Sequence, residues 1–330
     1  MNEPRSDEFD YIHFLVAAQK VFSCTEAARS QPEAADAPSH DSFTRLLARQ
    51  PPDTEALWAE AEGLVRLGGG LLIHDDSTID KPYAKKMGLV TRHWSGKHHR
   101  VVSGINLSTL LWTDGNALVP TDFRLYDKAD GLTKNEHFRA MVAAAHSRGL
   151  GPDYVCFDSW YSSLDNLKAL RELSYHWFTR LKSNRLANPD GKGNAPISEV
   201  EIPGGGRVVH LKGYGMIKMF RTVSKDGDAE HWATDDLQMT EEKREELESR
   251  GWGIEEYHRG LKQCCGLERC QLRSAEGQRA HFGLSLRAFL RLEAHRIRTG
   301  ITWYEAKTAI IRDAIRQYLA HPLYKLVPTA

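Results

Sequence analysis

The stretch Leu71-Leu72-Ile73-His74-Asp75-Asp76-Ser77-Thr78 is an apolar run that ends on two acids, set between the break Gly68-Gly69-Gly70 and a polar Ser-Thr-Ile-Asp segment. This pattern predicts a buried strand that delivers its last side chains to a sheet edge or rim. A carboxylate there does little for packing, yet it is the oxygen ligand that a hard cation such as Mg²⁺ takes. An isolated Asp-Asp pair would more simply cap the following turn. The recurrence of the arrangement downstream shifts the balance.

A loop rich in Lys81, Lys85, Lys86, Arg92, Lys97, His98, His99 and Arg100 leads to a long strand over 101–112, closed by the turn Thr113-Asp114-Gly115-Asn116. A third strand over 117–126 completes an antiparallel meander. Residues 135–148 form an amphipathic helix with Phe138, Met141, Val142 and Ala145 inward, stopped by Gly149. Tyr154-Val155-Cys156-Phe157-Asp158 is a fourth strand that again ends on an acid, with a helix over 162–173 behind it. Meander, helix, strand, helix resembles the order of a ribonuclease H-like α/β core, which sets the ends of its first and fourth strands side by side and so brings Asp76 and Asp158 together.

Between 175 and 240 the texture changes to short strands (177–182, 200–202, 208–211, 216–222, 231–234) and glycine turns. From Lys182 to Lys225 there are eight Lys and Arg against three acids, a basic β-rich insertion suited to a DNA backbone or simply a solvated face. A third acid follows on a helix. In 254–262, Ile254, Tyr257 and Leu261 are spaced for a buried face, while Glu255, His258, Arg259 and Lys262 share another. Such a helix is either a salt-bridged surface element or, beside the sheet, one that turns Glu255 to the two aspartates and lets Lys262 reach a phosphate. Arg269 and Arg273 extend this basic track.

The first 67 residues read as helical, with segments over 9–22, from Thr25 as N-cap, over 39–49 and over 54–67. The third has Phe43, Leu46 and Leu47 on one face and Arg45 and Arg49 on the other, as in the second helix of a helix-turn-helix that enters a DNA groove; a small bundle packed on the main domain explains it equally well.

The 330 residues balance 44 Lys and Arg against 44 Asp and Glu, which leaves room for a basic groove offset by acids elsewhere. Five cysteines without a signal peptide predict reduced thiols in a cytosol. His258, Cys264, Cys265 and Cys270 lack the CxxC pair of a zinc site. No apolar run approaches the roughly 18 residues of a membrane span.

Three pieces, His74-Asp75-Asp76-Ser77-Thr78, Phe157-Asp158-Ser159-Trp160-Tyr161 and 252–262 (Trp-Gly-Ile-Glu-Glu-Tyr-His-Arg-Gly-Leu-Lys), resemble the three acidic motifs of bacterial insertion-sequence transposases of the DDE type. More narrowly, they are similar to the insertion sequence 4-like class and its insertion sequence 701 group, in which a β-strand insertion separates the second Asp from the Glu. The similarity spans about residues 70 to 295. It implies a ribonuclease H-like catalytic core in two parts (68–180 and 241–330), a β-rich insertion (181–240) and an N-terminal helical domain (1–67). It further implies Asp76, Asp158 and Glu255 as ligands of two Mg²⁺ ions, with Mn²⁺ as a substitute, and Lys262 as a phosphate-positioning residue. Arg259, Arg269, Arg273, Arg45 and Arg49 would contact DNA. The implied partner is double-stranded DNA, both the terminal inverted repeats and the target, bound by a homodimer at the nucleoid in the bacterial cytoplasm.

In such a reaction one ion activates water or a 3′-hydroxyl and the other stabilises the leaving 3′-oxygen. The sequence departs from the group where Glu248 and Gly251 replace a Tyr and an Arg before the Lys, with Arg250 one position early. A catalytically impaired, DNA-binding relative is the alternative. A glycosidase pair of acids would not call for a Lys on the acid's own helix face.

Overall fold

The computed structural model describes residues 4–35, 37–50, 53–95, 99–224 and 227–324; Lys97, His98 and Lys225 of the sequence reading lie outside them. The chain forms two compact units, one of Met1–Asp53 with Arg259–Ala330 and the other of Thr54–His258. In chain order the helices are α1 (Glu8–Ala17), α2 (Cys24–Arg29), α3 (His40–Arg49), α4 (Thr54–Ala61), α5 (Lys134–Ser147), α6 (Leu164–Glu172), α7 (Glu241–Gly251), α8 (Gly253–Cys264), α9 (Ala275–Thr299) and α10 (Trp303–Ala320). The strands are β1 (Leu71–Asp80), β2 (Thr91–Ser95), β3 (Arg100–Thr113), β4 (Val119–Leu125), β5 (Tyr154–Phe157), β6 (Trp177–Arg180), β7 (Leu186–Asn188), β8 (Ala195–Pro196), β9 (Arg207–Leu211), β10 (Gly215–Val223) and β11 (Ala229–Thr234).

In the unit 54–258 these strands make one mixed sheet in the order β2-β3-β1-β5-β6-β11-β10-β9-β7-β8, with β4 paired to β3. Strands β1, β5 and β6 run parallel and β3 is antiparallel to β1, so the protein has a mixed α/β fold. Its sheet is buried around Leu71, Leu72, Leu110, Leu111, Val155 and Trp177, each 0% exposed. Helix α5 is fixed by a capping box between Thr133 and Glu136 and buries Phe138, Met141 and Val142.

Several elements differ from the sequence expectation, each for a local reason. The segment 91–95, read as loop, is the strand β2, an edge strand with no hydrophobic alternation to announce it. No strand forms at 200–202, a segment set between the single helical turn Ile197–Glu199 and Pro203, which has no N–H to donate. Ser23, not Thr25, caps α2, its side chain accepting from the Glu26 N–H. Helix α4 stops at Ala61 and packs on β4; Leu57 and Ala61 are fully buried, and Arg148 ties the helix down by bonding the Thr121 carbonyl at 3.0 Å and Glu55 at 2.6 Å.

In the other unit α9 runs against α1 and α3, and α10 against α1 and α9. Arg287 of α9, 5% exposed, donates two hydrogen bonds of 2.8 Å to the Glu8 carboxylate. Lys307 of α10 caps the open carbonyls of α1, its Nζ lying 2.6 Å from the Val16 and 2.7 Å from the Ala18 oxygen. The hydrogen bond from Arg287, aided by its charge and opposed by burial, holds the Glu8 carboxyl below its usual range. A depressed carboxylate contributes stability that is present above its unfolded pKa and lost as the pH falls through the lower folded value. Glu8→Gln should therefore lower stability by about 2 kcal/mol at neutral pH, and by progressively less as the pH falls through the depressed folded value. Equal denaturant midpoints for the two proteins at neutral pH would rule this out.

Candidate active site

The acids of β1 do not end the strand. Pairing of β1 with β5 stops at His74 opposite Phe157, whereas pairing with β3 continues to Asp80 opposite Gly104. Just past the end of the parallel ladder, Asp75 continues the register opposite Asp158. There β5 gives way to a single helical turn, Ser159–Tyr161, with Asp158 as its cap: the Trp160 N–H donates to Asp158 Oδ1 at 2.9 Å.

A cleft of ≈ 400 Å³ opens at this point, lined by Asp75, Asp158 and Glu255 and walled by Phe178, Arg180, Trp232 and Trp252. Glu255 enters from the first turn of α8 and is exposed. One turn on, the buried His258 places Nδ1 3.9 Å from Asp75 Oδ2. Burial, then the negative charges of Asp76, Asp158 and Glu255, push the Asp75 carboxyl well above the usual carboxylate range. Asp158 is raised as well, by burial and by the Asp76 charge, against the backbone N–H groups that it accepts from.

Asp76 points to the opposite face of β1, as alternation along a strand requires. It accepts from Lys134 Nζ at 2.8 Å, Tyr161 OH at 2.6 Å and Asn106 Nδ2 at 2.5 Å. Burial opposes its ionisation, but the Lys134 charge and these donors outweigh it and hold the carboxyl below its usual value. Asp76 is thus a neutralised clamp that joins β1, β3, the start of α5 and the turn bearing Asp158. Beside it His74, pushed down to about 3 by burial, is a neutral packing residue; its Nε2 bonds Ser108 at 2.7 Å.

On the far wall Arg180 bonds Glu230 at 2.6 Å and lies over the Trp232 ring at 5.4 Å, and Trp232 stacks on Phe178 at 4.7 Å. Trp252 is 62% exposed. Phe178, Arg180 and Trp232 carry no sequence signal as a site, because their meeting in one cleft depends on the register of β6 with β11. Of the residues before Glu255, Arg250 pairs with Glu246 at 2.7 Å and Glu248 pairs with Arg244.

The remaining sequence candidates lie in the other unit. Lys262 Nζ sits 3.8 Å from Glu268. Arg259, Arg269 and Arg273 are exposed, as is Arg45, 4.0 Å from Asp41. Arg49 Nη2 donates to the Ser6 carbonyl at 2.7 Å, which turns at least part of its guanidinium inward. Cys264, Cys265 and Cys270 are buried and not in disulfides.

Among the described residues no three His, Cys, Asp or Glu side chains form a ready-made metal cage. The cleft nevertheless suits a hard divalent cation. Its donors are all carboxylate oxygens, and both the burial and the neighbouring negative charges that raise Asp75 are what a cation would offset.

A search of curated proteins gives no match. Among solved structures, the piggyBac transposase in a synaptic complex with hairpin DNA, determined by cryo-EM, is similar in fold, with 12% identity and a TM-score of 0.52 over 98% of this chain and 74% of that one. Among the described residues no helix is long and apolar enough to cross a membrane. Residues 14–245, which hold Asp75, Asp76 and Asp158, match the DDE superfamily endonuclease family; the match covers well over half the sequence, and the chain belongs to that family.

Proposed function

We propose that the protein is a DNA transposase that cuts strands at the ends of a mobile element and joins them to target DNA by metal-dependent phosphoryl transfer. The observation that carries this reading is one cleft lined by Asp75, Asp158 and Glu255 in a chain of the DDE endonuclease family. The first ligand in this proposal is Asp75 and not Asp76, since Asp76 is already occupied by Lys134, Tyr161 and Asn106. Asp75, Asp158 and Glu255 would hold Mg²⁺, two ions with Mn²⁺ as substitute, which when bound supplies activation of the attacking oxygen and stabilisation of the leaving one. Arg180 offers its guanidinium to a phosphodiester entering the cleft. Lys262 and Arg259, on the Glu255 face of α8 by helical spacing, act on phosphates near the cut.

The finer placement follows the same line. The strand order β4-β3-β1-β5-β6 supports a ribonuclease H-like core over 68–180 and from 241 on, with 181–240 as its insertion, and the motif spacing supports the insertion sequence 701 group. Residues 1–67 would recognise the inverted repeats, with Arg45, Arg49, Arg269 and Arg273 on the backbone of double-stranded DNA. The protein would work as a homodimer at a bacterial nucleoid. A catalytically impaired DNA-binding protein is the second reading, since Glu248 and Gly251 stand where the group has a Tyr and an Arg.

The test is incubation with Mg²⁺ and a duplex carrying the repeats that flank the protein's own locus. Metal-dependent cleavage is the expected result, and Lys262→Ala should slow it about tenfold at saturating protein while affinity stays within about twofold. Binding without cleavage in either Mg²⁺ or Mn²⁺ selects the second reading, and failure to bind DNA removes both. An unchanged rate in Lys262→Ala would move that residue to the general binding surface.

A further inference from the structure

Between Asp80 and Asp114 the chain runs 33 residues with six Lys and Arg and no acid, although the 44 acids of the 330-residue chain all lie elsewhere, about one in every seven residues. This stretch is the loop after β1, the edge strand β2 and the first part of β3. Where β2 pairs with β3, Trp94 lies opposite Val101 and Arg92 opposite Ser103. The exposed face therefore carries a Trp that is 66% and a Val that is 56% exposed, while His93 on the other face is 6% exposed. Tyr83 in the loop is 94% exposed. Arg92, Arg100, Lys85 and Lys86 are all exposed, and none of the four forms an ion pair with a described residue.

Positive charge on an edge strand often serves only to discourage pairing with another sheet. That role does not account for an exposed Trp-Val pair, which by itself invites association. A nucleic-acid duplex accounts for both, since its phosphates take the cations and its deoxyriboses and groove edges take the Trp-Val face. We propose that this arm, β2 with the start of β3 and the loop before them, binds the duplex whose strand is cut in the cleft. The inference rests on the DNA-acting reading above.

The reach of the arm fits that role. Strand β3 passes from Thr109, the neighbour of Asp75, to Val101, the neighbour of Trp94, in eight residues. At about 3.4 Å per residue this spans roughly 27 Å, the rise of about eight base pairs. Both the acids and the arm lie on the continuation of β1 past the end of its pairing with β5, so one straight duplex can lie along them.

The experiment measures binding of a labelled duplex of about 40 base pairs and arbitrary sequence across about 50 to 200 mM salt, without divalent cation. The proteins are the full chain, the double variant Arg92→Ala with Arg100→Ala, the matching double Lys variant, and Trp94→Ala. The double Ala variant should weaken binding about tenfold and reduce the slope of log affinity against log salt by about two, because each lost phosphate contact removes about 0.9. The Lys pair should restore most of the slope. Trp94→Ala should weaken binding about fivefold with the slope unchanged. Melting temperatures close to wild type exclude unfolding as the cause, since all three side chains are exposed. Affinities within about twofold of wild type and unaltered slopes would overturn the arm as a DNA contact. A wild-type chain that does not bind the duplex overturns the DNA-acting reading itself.

Discussion

Asp75→Asn should reduce single-turnover DNA cleavage about a thousandfold or more, while Asp76→Asn should cost only about ten- to a hundredfold. The first removes a charged ligand from the cleft, and several kcal/mol of transition-state stabilisation go with it. The second keeps a hydrogen-bonding side chain in a clamp that merely orients the turn bearing Asp158, the effect of an outer-shell partner. Stability should move the other way. Asp75 is raised by burial and then by Asp76, Asp158 and Glu255, so the metal-free folded protein keeps the Asp75 proton to higher pH than the unfolded chain, which releases it near pH 4. Stability from that proton is full at low pH and is lost as the pH rises through the raised folded value. Metal-free Asp75→Asn should therefore melt higher than wild type at neutral pH, by about 1 kcal/mol, and should no longer be stabilised by added Mg²⁺. A dead Asp76→Asn beside an active Asp75→Asn would return the ligand to Asp76.

The second large effect is structural. Gly104 is the point where β3 faces Asp80 of β1 on one side and Thr91 of β2 on the other. A Cβ there would stand 2.5 Å from the Ile79 carbonyl oxygen and 2.8 Å from Thr78 Cγ2. A backbone oxygen held in a ladder cannot step aside, so the strands must part. Gly104→Val should cost about 3 kcal/mol or more and lower the melting temperature by roughly 10 °C. A shift below about 2 °C would mean that the β1–β3 pairing is looser than its register implies.

Much of the sheet was legible because apolar runs between glycine breaks are strong local signals. Leu71–Ile73 and Tyr154–Phe157 announce buried strands; the acid after Phe157 marks the end of β5, whereas β1 runs past its acids to Asp80. Which of two adjacent aspartates faces the cleft was not legible, since that depends on the β1–β5 register and on partners from three remote places: Asn106, Lys134 and Tyr161. The cleft's aromatic wall was hidden for the same reason, because Phe178 and Trp232 meet only through the pairing of β6 with β11. Strand β2 was missed because a short basic edge strand has only one neighbour and little apolar pattern. Helix starts were nearer, since Thr133 and Ser163 cap by local hydrogen bonds, although α2 takes Ser23 as its cap; helix ends were not, for α1 stops at Ala17 short of the expected 22 and α4 at Ala61 short of 67.

One unit is continuous in sequence, whereas the other is assembled from residues before 54 and after 258. Synthesis therefore delivers its pieces far apart in time. Helices α1 and α3 emerge with Tyr11, Phe14, Leu15, Phe43, Leu46 and Leu47 ready for burial, yet α9, which they pack on, follows only after roughly 200 further residues. At ordinary ribosomal rates that delay is about 10 to 40 s. During it the sheet-bearing unit can fold while the first helices keep their apolar faces uncovered, so the nascent chain has a built-in interval in which a chaperone has something to hold.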